Sequence, residues 1–119
     1  MSLDWEQVIV DARDPVALGA WWREALGWVV VDDGPEVYEI RPEATQTPGL
    51  LFVPVAEGKT TKNRLHLDFQ PEHQDREVDR MLSLGASRVD VGQGDQSWVV
   101  LADPEGNEFC VLAPRRNES

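Results

Sequence analysis

The chain has 119 residues, 41% of them hydrophobic and 28% charged, so one compact domain is expected and a disordered chain is not. Eleven basic residues stand against 22 acidic ones, a net charge of −11, which disfavours nucleic acid and anionic membrane surfaces as partners, since both attract a basic face. A single cysteine, Cys110, excludes an intrachain disulfide, and no apolar run approaches the length of a membrane span.

The first strand is expected over Trp5–Ala12. Asp14 then precedes Pro15, and this pair reads as a helix N-cap followed by proline at the first helical position. Leu18, Trp21, Trp22, Ala25 and Leu26 follow at i, i+3, i+4, i+7 and i+8, one apolar stripe of an amphipathic helix, and Gly27 ends it as a left-handed cap. Trp28–Val31 starts a second strand. The cluster Asp32-Asp33-Gly34-Pro35 reads as a turn, Val37–Ile40 as a short third strand, and Leu50–Val53 as a fourth. The polar segment Ala56–Asn63 reads as a linker.

The same order then returns. Arg64–Phe69 is expected as a strand, with His66 and Asp68 on one face and Leu65, Leu67 and Phe69 on the other. Pro71 opens a helical segment with Val78, Met81 and Leu82 on one side, capped by Gly85, and His73 falls at its solvated start. Strands follow at Ser87–Val91, Ser97–Leu101 and Glu108–Leu112. The last two are joined by the turn Asp103-Pro104-Glu105-Gly106, in which proline presets φ and an Asx side chain bonds back to the backbone. Each half therefore reads strand, helix, three strands, and Leu26-Gly27 recurs as Leu84-Gly85, 58 positions later. The expected class is α+β, with two tandem βαβββ modules forming curved mixed sheets around a concave cavity. The expected bounds are a domain over 4–113, with module one at 4–55, module two at 64–113 and a polar tail at 114–119.

Four segments in this order carry a resemblance. They are Asp14-Pro15 with Trp22-x-x-x-Leu26-Gly27-Trp28, Asn63-Arg-Leu-His-Leu-Asp68, Val89-Asp-Val-Gly-Gln-Gly94, and Trp98 to Leu112. Together they resemble the small glyoxalase-like and bleomycin-resistance-like domains of the vicinal oxygen chelate superfamily. Metal-using members of that superfamily take one ligand from the first and the last strand of each module. Carried over one at a time, those positions fall on Gln7, near Val53, on His66 and on Cys110, where a glutamate is usual.

Only His66 is a conventional ligand at its place, and one His with one Cys falls short of three or four donors. The resemblance therefore implies a protein that binds a small organic molecule in a metal-free cavity, with no cofactor. The alternative is a divalent-metal-dependent lyase, isomerase or dioxygenase. Gln7, His66, Asp68, Trp98 and Cys110 are the candidate wall of the site, and His66 is also the candidate acid or base, with Asp68 to orient it. Cys110 in its apolar strand reads as a small core hydrophobe, while Trp98 either lines the cavity, as a stacking surface for a flat aromatic or cationic ligand, or packs the opposite face. A homodimer follows from the resemblance and the small size. The single cysteine, with no basic and then apolar run at the N-terminus, suits a cytoplasmic protein.

Overall fold

A computed structural model describes residues 2–61, 63, 65–89 and 97–115. The elements run β1 (Gln7–Ala12), α1 (Pro15–Leu26), β2 (Val29–Asp33), β3 (Tyr38–Arg41), β4 (Gly49–Pro54), β5 (Leu67–Phe69), α2 (Gln74–Leu84), β6 (Ser87–Arg88), β7 (Val99–Ala102) and β8 (Glu108–Val111). The chain divides into two compact units, Met1–Gly58 and Lys59–Ser119. Each unit contains the expected strand, helix and three strands, so the class is α+β with two four-stranded mixed sheets.

In the first unit the strand order is β1-β4-β3-β2. β1 pairs parallel with β4, while β4 with β3 and β3 with β2 are antiparallel. Parallel neighbours cannot be joined by a hairpin, and the chain crosses through α1 before the hairpins return it to β1. The helix starts where expected: the Asp14 side chain accepts from the Ala17 N–H at 3.1 Å, and Pro15 occupies the first position. It ends at Gly27, whose φ of 68° is left-handed and whose N–H donates to Arg23 O at 2.8 Å. Leu18, Trp22 and Ala25 are buried and pack with Tyr38, Ile40, Leu50 and Phe52. Trp21 stays half-buried and meets Trp22 edge to face at 5.0 Å.

The helix lies so close to β3 that a Cβ on Gly19 would stand 2.3 Å from Tyr38 Cδ1. That approach explains a glycine inside a helix, where alanine is otherwise the better helix former. β2 runs on through Asp32 and Asp33, where a turn was expected. Asp32 pairs with Glu39 and Asp33 with Tyr38, after a register shift that follows Val30. The shift lets the edge strand continue, and charged residues on an edge are readily solvated.

The second unit repeats the order as β5-β8-β7-β6, with β5 parallel to β8 and the remaining pairs antiparallel. His73 is the N-cap of α2 and makes no side-chain capping bond. The next residue anchors the helix instead: Gln74 Nε2 donates to Ser97 O at 2.7 Å and to Val111 O at 3.1 Å. Val78 and Met81 are buried, and Gly85 caps the helix at φ 116°. The turn between β7 and β8 is built on Asp103, which is 4% exposed. Its Oδ1 accepts from the Glu105 and Asn107 N–H groups, both at 2.9 Å, and Gly106 takes φ 89°.

Three expectations shift here. β5 begins at Leu67, so His66 stands just ahead of the strand and not within it. In register His66 would fall opposite Glu108, the first residue of β8, whose carbonyl accepts from the Asn63 side chain at 3.3 Å. β7 begins at Val99, which leaves Trp98 outside the strand. β6 ends at Arg88, one residue before Val89, whose N–H still donates to Val100 O at 3.1 Å; residues 90–91 of the expected strand, the loop 92–96 and residues 116–119 lie outside the described residues.

The segment before β5 is held by charge. Lys59 Nζ lies 2.8 Å from Glu108 Oε2, and the Asn63 N–H donates to Glu108 Oε1 at 3.5 Å. Burial alone would raise the Glu108 carboxyl, but the Lys59 and Asn63 hydrogen bonds, with the Lys59 charge, hold it below its ordinary value of 4.5. A carboxylate with a depressed folded pKa stabilises above its unfolded pKa and loses that contribution as pH falls through the folded value. Glu108→Gln is therefore expected to lower neutral-pH stability by about 1 kcal/mol in urea denaturation. The gap from wild type should shrink as pH drops below 4.5, and a gap independent of pH would contradict the assignment. Gly19→Ala is expected to lose about 1–3 kcal/mol by the same measurement, because crowding against Tyr38 outweighs the gain in helix propensity.

Candidate functional site

The parallel pairing of β5 with β8 sets Asp68 directly opposite Cys110. Strand alternation places His66, two residues before Asp68, toward the same face. The side chains meet: His66 Nε2 lies 3.2 Å from Asp68 Oδ1, an ion pair when the imidazole is protonated. One donor atom from each of His66, Asp68 and Cys110 falls within 4.8 Å of the other two. Cys110 is buried at 7% exposure, whereas the His66 and Asp68 side chains are each 51% exposed. A buried sulfur thus stands beside a solvated nitrogen and oxygen.

The first unit holds the same backbone addresses. Ile9 pairs with Leu51 in β1 and β4 as Asp68 pairs with Cys110, and Gln7 stands two residues before Ile9. The fourth family position, expected near Val53, is therefore Leu51 by register. Gln7, Ile9 and Leu51 are the counterparts of His66, Asp68 and Cys110, and the last two offer no donor atom. Of the five expected wall residues, three converge in the second unit, and Gln7 belongs to the first.

Trp98, the remaining one, is 37% exposed. It stands two residues ahead of Val100, which is the antiparallel partner of Cys110. An open depression of about 430 Å³ lies at the start of α2, lined by Glu72, His73, Gln74, Asp75, Arg76 and Pro114. It shares no residue with the cluster, so His73 and His66 belong to different places.

Glu39 is a residue that sequence reasoning passed over. It is 8% exposed and pairs across the sheet with Leu51, so it lies on the face of Ile9 and Leu51. Period-two alternation in Tyr38-Glu39-Ile40 is the signal that sets it opposite its apolar neighbours. Its Oε2 accepts from Arg41 Nε at 3.0 Å, and Arg41 also reaches Glu6 Oε2 at 3.1 Å. The Arg41 guanidinium thus braces the Glu39 carboxylate within the sheet.

The donor set decides which ion the residues could hold. In the first unit the register puts Gln7 and Leu51 at the positions where metal-using relatives place ligands, an amide and a side chain with no donor atom. The second unit alone offers imidazole, carboxylate and thiol. Asp68, expected to orient His66, brings its own carboxylate oxygen to the same cluster.

The profile of the family described as "Glyoxalase-like domain" matches residues 7–112. No curated protein matches the chain. Among solved structures, a glyoxalase/bleomycin resistance protein/dioxygenase family enzyme from Burkholderia phytofirmans PsJN superposes with a TM-score of 0.72 at 20% identity, over 95% of this chain and 100% of that one. TnmS3, an antibiotic binding protein from Streptomyces sp. CB03234, gives 0.65 at 16% identity, over 97% and 99%. The trypanothione-dependent glyoxalase I of Leishmania major gives 0.66 at 17% identity, over 94% and 87%. These likenesses are of fold, and the profile match extends along nearly the whole sequence. The chain belongs to the glyoxalase-like domain family.

Proposed function

We propose that this protein binds a small organic molecule against the sheet face that carries His66, Asp68 and Cys110, and does not turn it over. The observation that carries this reading is the pairing of Asp68 with Cys110, which puts a thiol where metal-using relatives have a glutamate. That glutamate is both ligand and base in such enzymes, and among the described residues the carboxylates set on these sheet faces opposite Cys110 and Leu51 are already engaged. Asp68 is engaged with His66, and Glu39 is engaged with Arg41.

Binding has the parts it needs. His66 and Asp68 present a solvated donor and acceptor, and Trp98 is an exposed aromatic surface beside the partner strand. The net charge of −11 favours cationic over anionic ligands. The likeness to an antibiotic binding protein supports the same direction. Gln7 enters only as the polar counterpart of His66 in the first module. The working species in this reading is a cytoplasmic homodimer.

A thermal-shift screen of metabolites and antibiotics, run in the presence of a chelator, tests the reading. A ligand bound only by the folded state raises the apparent melting temperature. Hits are expected to give saturable tryptophan quenching that drops in Trp98→Phe, with affinity weakened about tenfold in His66→Ala, as for the loss of a hydrogen bond to a charged group. Mass spectrometry should return the ligand unaltered after long incubation. Formation of a product would overturn the proposal.

A further inference from the structure

We propose that Cys110 is a nucleophile that captures small, flat α,β-unsaturated carbonyl compounds, with His66 as the base that takes its proton and Asp68 as the residue that positions His66. The proposal rests on this sheet face being open to small molecules. It goes beyond reversible binding, because the compound ends covalently attached to sulfur.

The arrangement of the three groups supports it first. A thiol becomes an effective nucleophile when a base stands beside it and a third group orients that base. One donor atom from each of His66, Asp68 and Cys110 lies within 4.8 Å of the other two, and His66 Nε2 is 3.2 Å from Asp68 Oδ1. In a neutral imidazole that donates Nε2–H to Asp68, the lone pair stands on Nδ1. His66 is half-exposed, so rotation of its side chain can bring Nδ1 to the sulfur without disturbing the core. Cys110 itself is fixed in β8, paired to Asp68 on one side and to Val100 on the other. The matching address in the first unit holds Leu51 beside Ile9, so that unit repeats the backbone without the nucleophile.

The surroundings then select the electrophile. Sulfur is soft and polarizable, which suits the β-carbon of a conjugated carbonyl. Trp98 is 37% exposed and stands two residues ahead of Val100, so it offers a flat conjugated compound a stacking surface beside the neighbouring strand. A net charge of −11 disfavours anionic compounds and leaves neutral and cationic ones. Cys110 is only 7% exposed, which favours small reagents, and the half-exposed His66 and Asp68 mark the side that faces water.

The step balances without an oxidant, a reductant or a leaving group. The Cys110 S–H proton passes to Nδ1 of His66, and the sulfur electron pair forms a bond to the β-carbon. The C=C π pair moves through the carbonyl to give an enolate, and the imidazolium returns the proton to the α-carbon. One S–H bond and one π bond are lost, and one S–C and one C–H bond are formed. The adduct stays on the chain, so this is capture and not turnover.

The test treats the reduced full chain, in chelator at neutral pH, with N-ethylmaleimide, a small flat α,β-unsaturated imide. Intact mass spectrometry is expected to show one adduct, peptide mapping to place it on Cys110, the single cysteine, and Cys110→Ser to take none. The folded chain should react faster than the same chain unfolded in urea, the reverse of what burial of a thiol alone gives. His66→Ala should keep the native circular dichroism and react about a hundredfold slower or more, as for the loss of a positioned base. Added imidazole should restore part of that rate. Asp68→Asn should slow the reaction about tenfold, as for the loss of a hydrogen bond to a charged group, and Asp68→Glu should recover part of it.

A folded chain slower than the unfolded one would overturn the proposal, as would adducts on lysine or histidine with Cys110 untouched. An unchanged rate in His66→Ala, or a loss that imidazole does not rescue, would remove His66 as the base and overturn it too. The organic-ligand screen is scored on compounds without an electrophilic carbon, so its outcome stands apart from this one.

Discussion

Parallel pairing of β1 with β4, and of β5 with β8, is the constraint from which the remaining geometry follows. A parallel pair needs a crossover, and each module supplies one helix for it. The two hairpins that follow must then bring the chain back to its first strand, which gives the order first, fourth, third, second in both sheets. The consequence for chemistry is direct. Residues far apart in sequence, Asp68 and Cys110, become neighbours on one face because the first and last strands of a module lie side by side.

Much of this scaffold is written in local signals. Asp14-Pro15 and Gly27 bound α1 because a cap and a left-handed residue act within one turn of the chain. Asp103 and Gly106 likewise act over four residues. Features that depend on a neighbouring strand were harder to read. β5 stops short of His66, whose register partner would be Glu108, the residue that Asn63 and Lys59 hold. The first-module position near Val53 belongs to Leu51 because register, and not distance along the chain, fixes the pairing. Asp68 was visible as a neighbour of His66, but its place across from Cys110 is a property of the ladder. Glu39 was passed over because a buried carboxylate becomes intelligible only once Arg41 and Glu6 are seen around it.

The ionic features differ in what they contribute. The Lys59 and Glu108 side chains are mostly covered, and each makes a further hydrogen bond, so their pairing fastens the approach to β5. His66 and Asp68 are half-exposed, and pairs of that kind add between nothing and about 1 kcal/mol to stability. Replacing either should therefore cost the fold little. Their effect is local: they set a polar, exposed patch beside a buried cysteine.

The two modules amount to an internal comparison of side chains on one backbone plan. At one set of addresses stand Gln7, Ile9 and Leu51, and at the other His66, Asp68 and Cys110. The same register and alternation hold in both, so the backbone cannot be the source of their chemical difference. Ile9 and Leu51 ask nothing of their surroundings beyond contact, whereas a carboxylate beside a buried thiol must be solvated or partnered. His66 is that partner at 3.2 Å, and its position just before β5 leaves the pair reachable from water. The early end of the β5 ladder thus has a chemical result: the histidine is released from strand pairing at the point where the aspartate needs it.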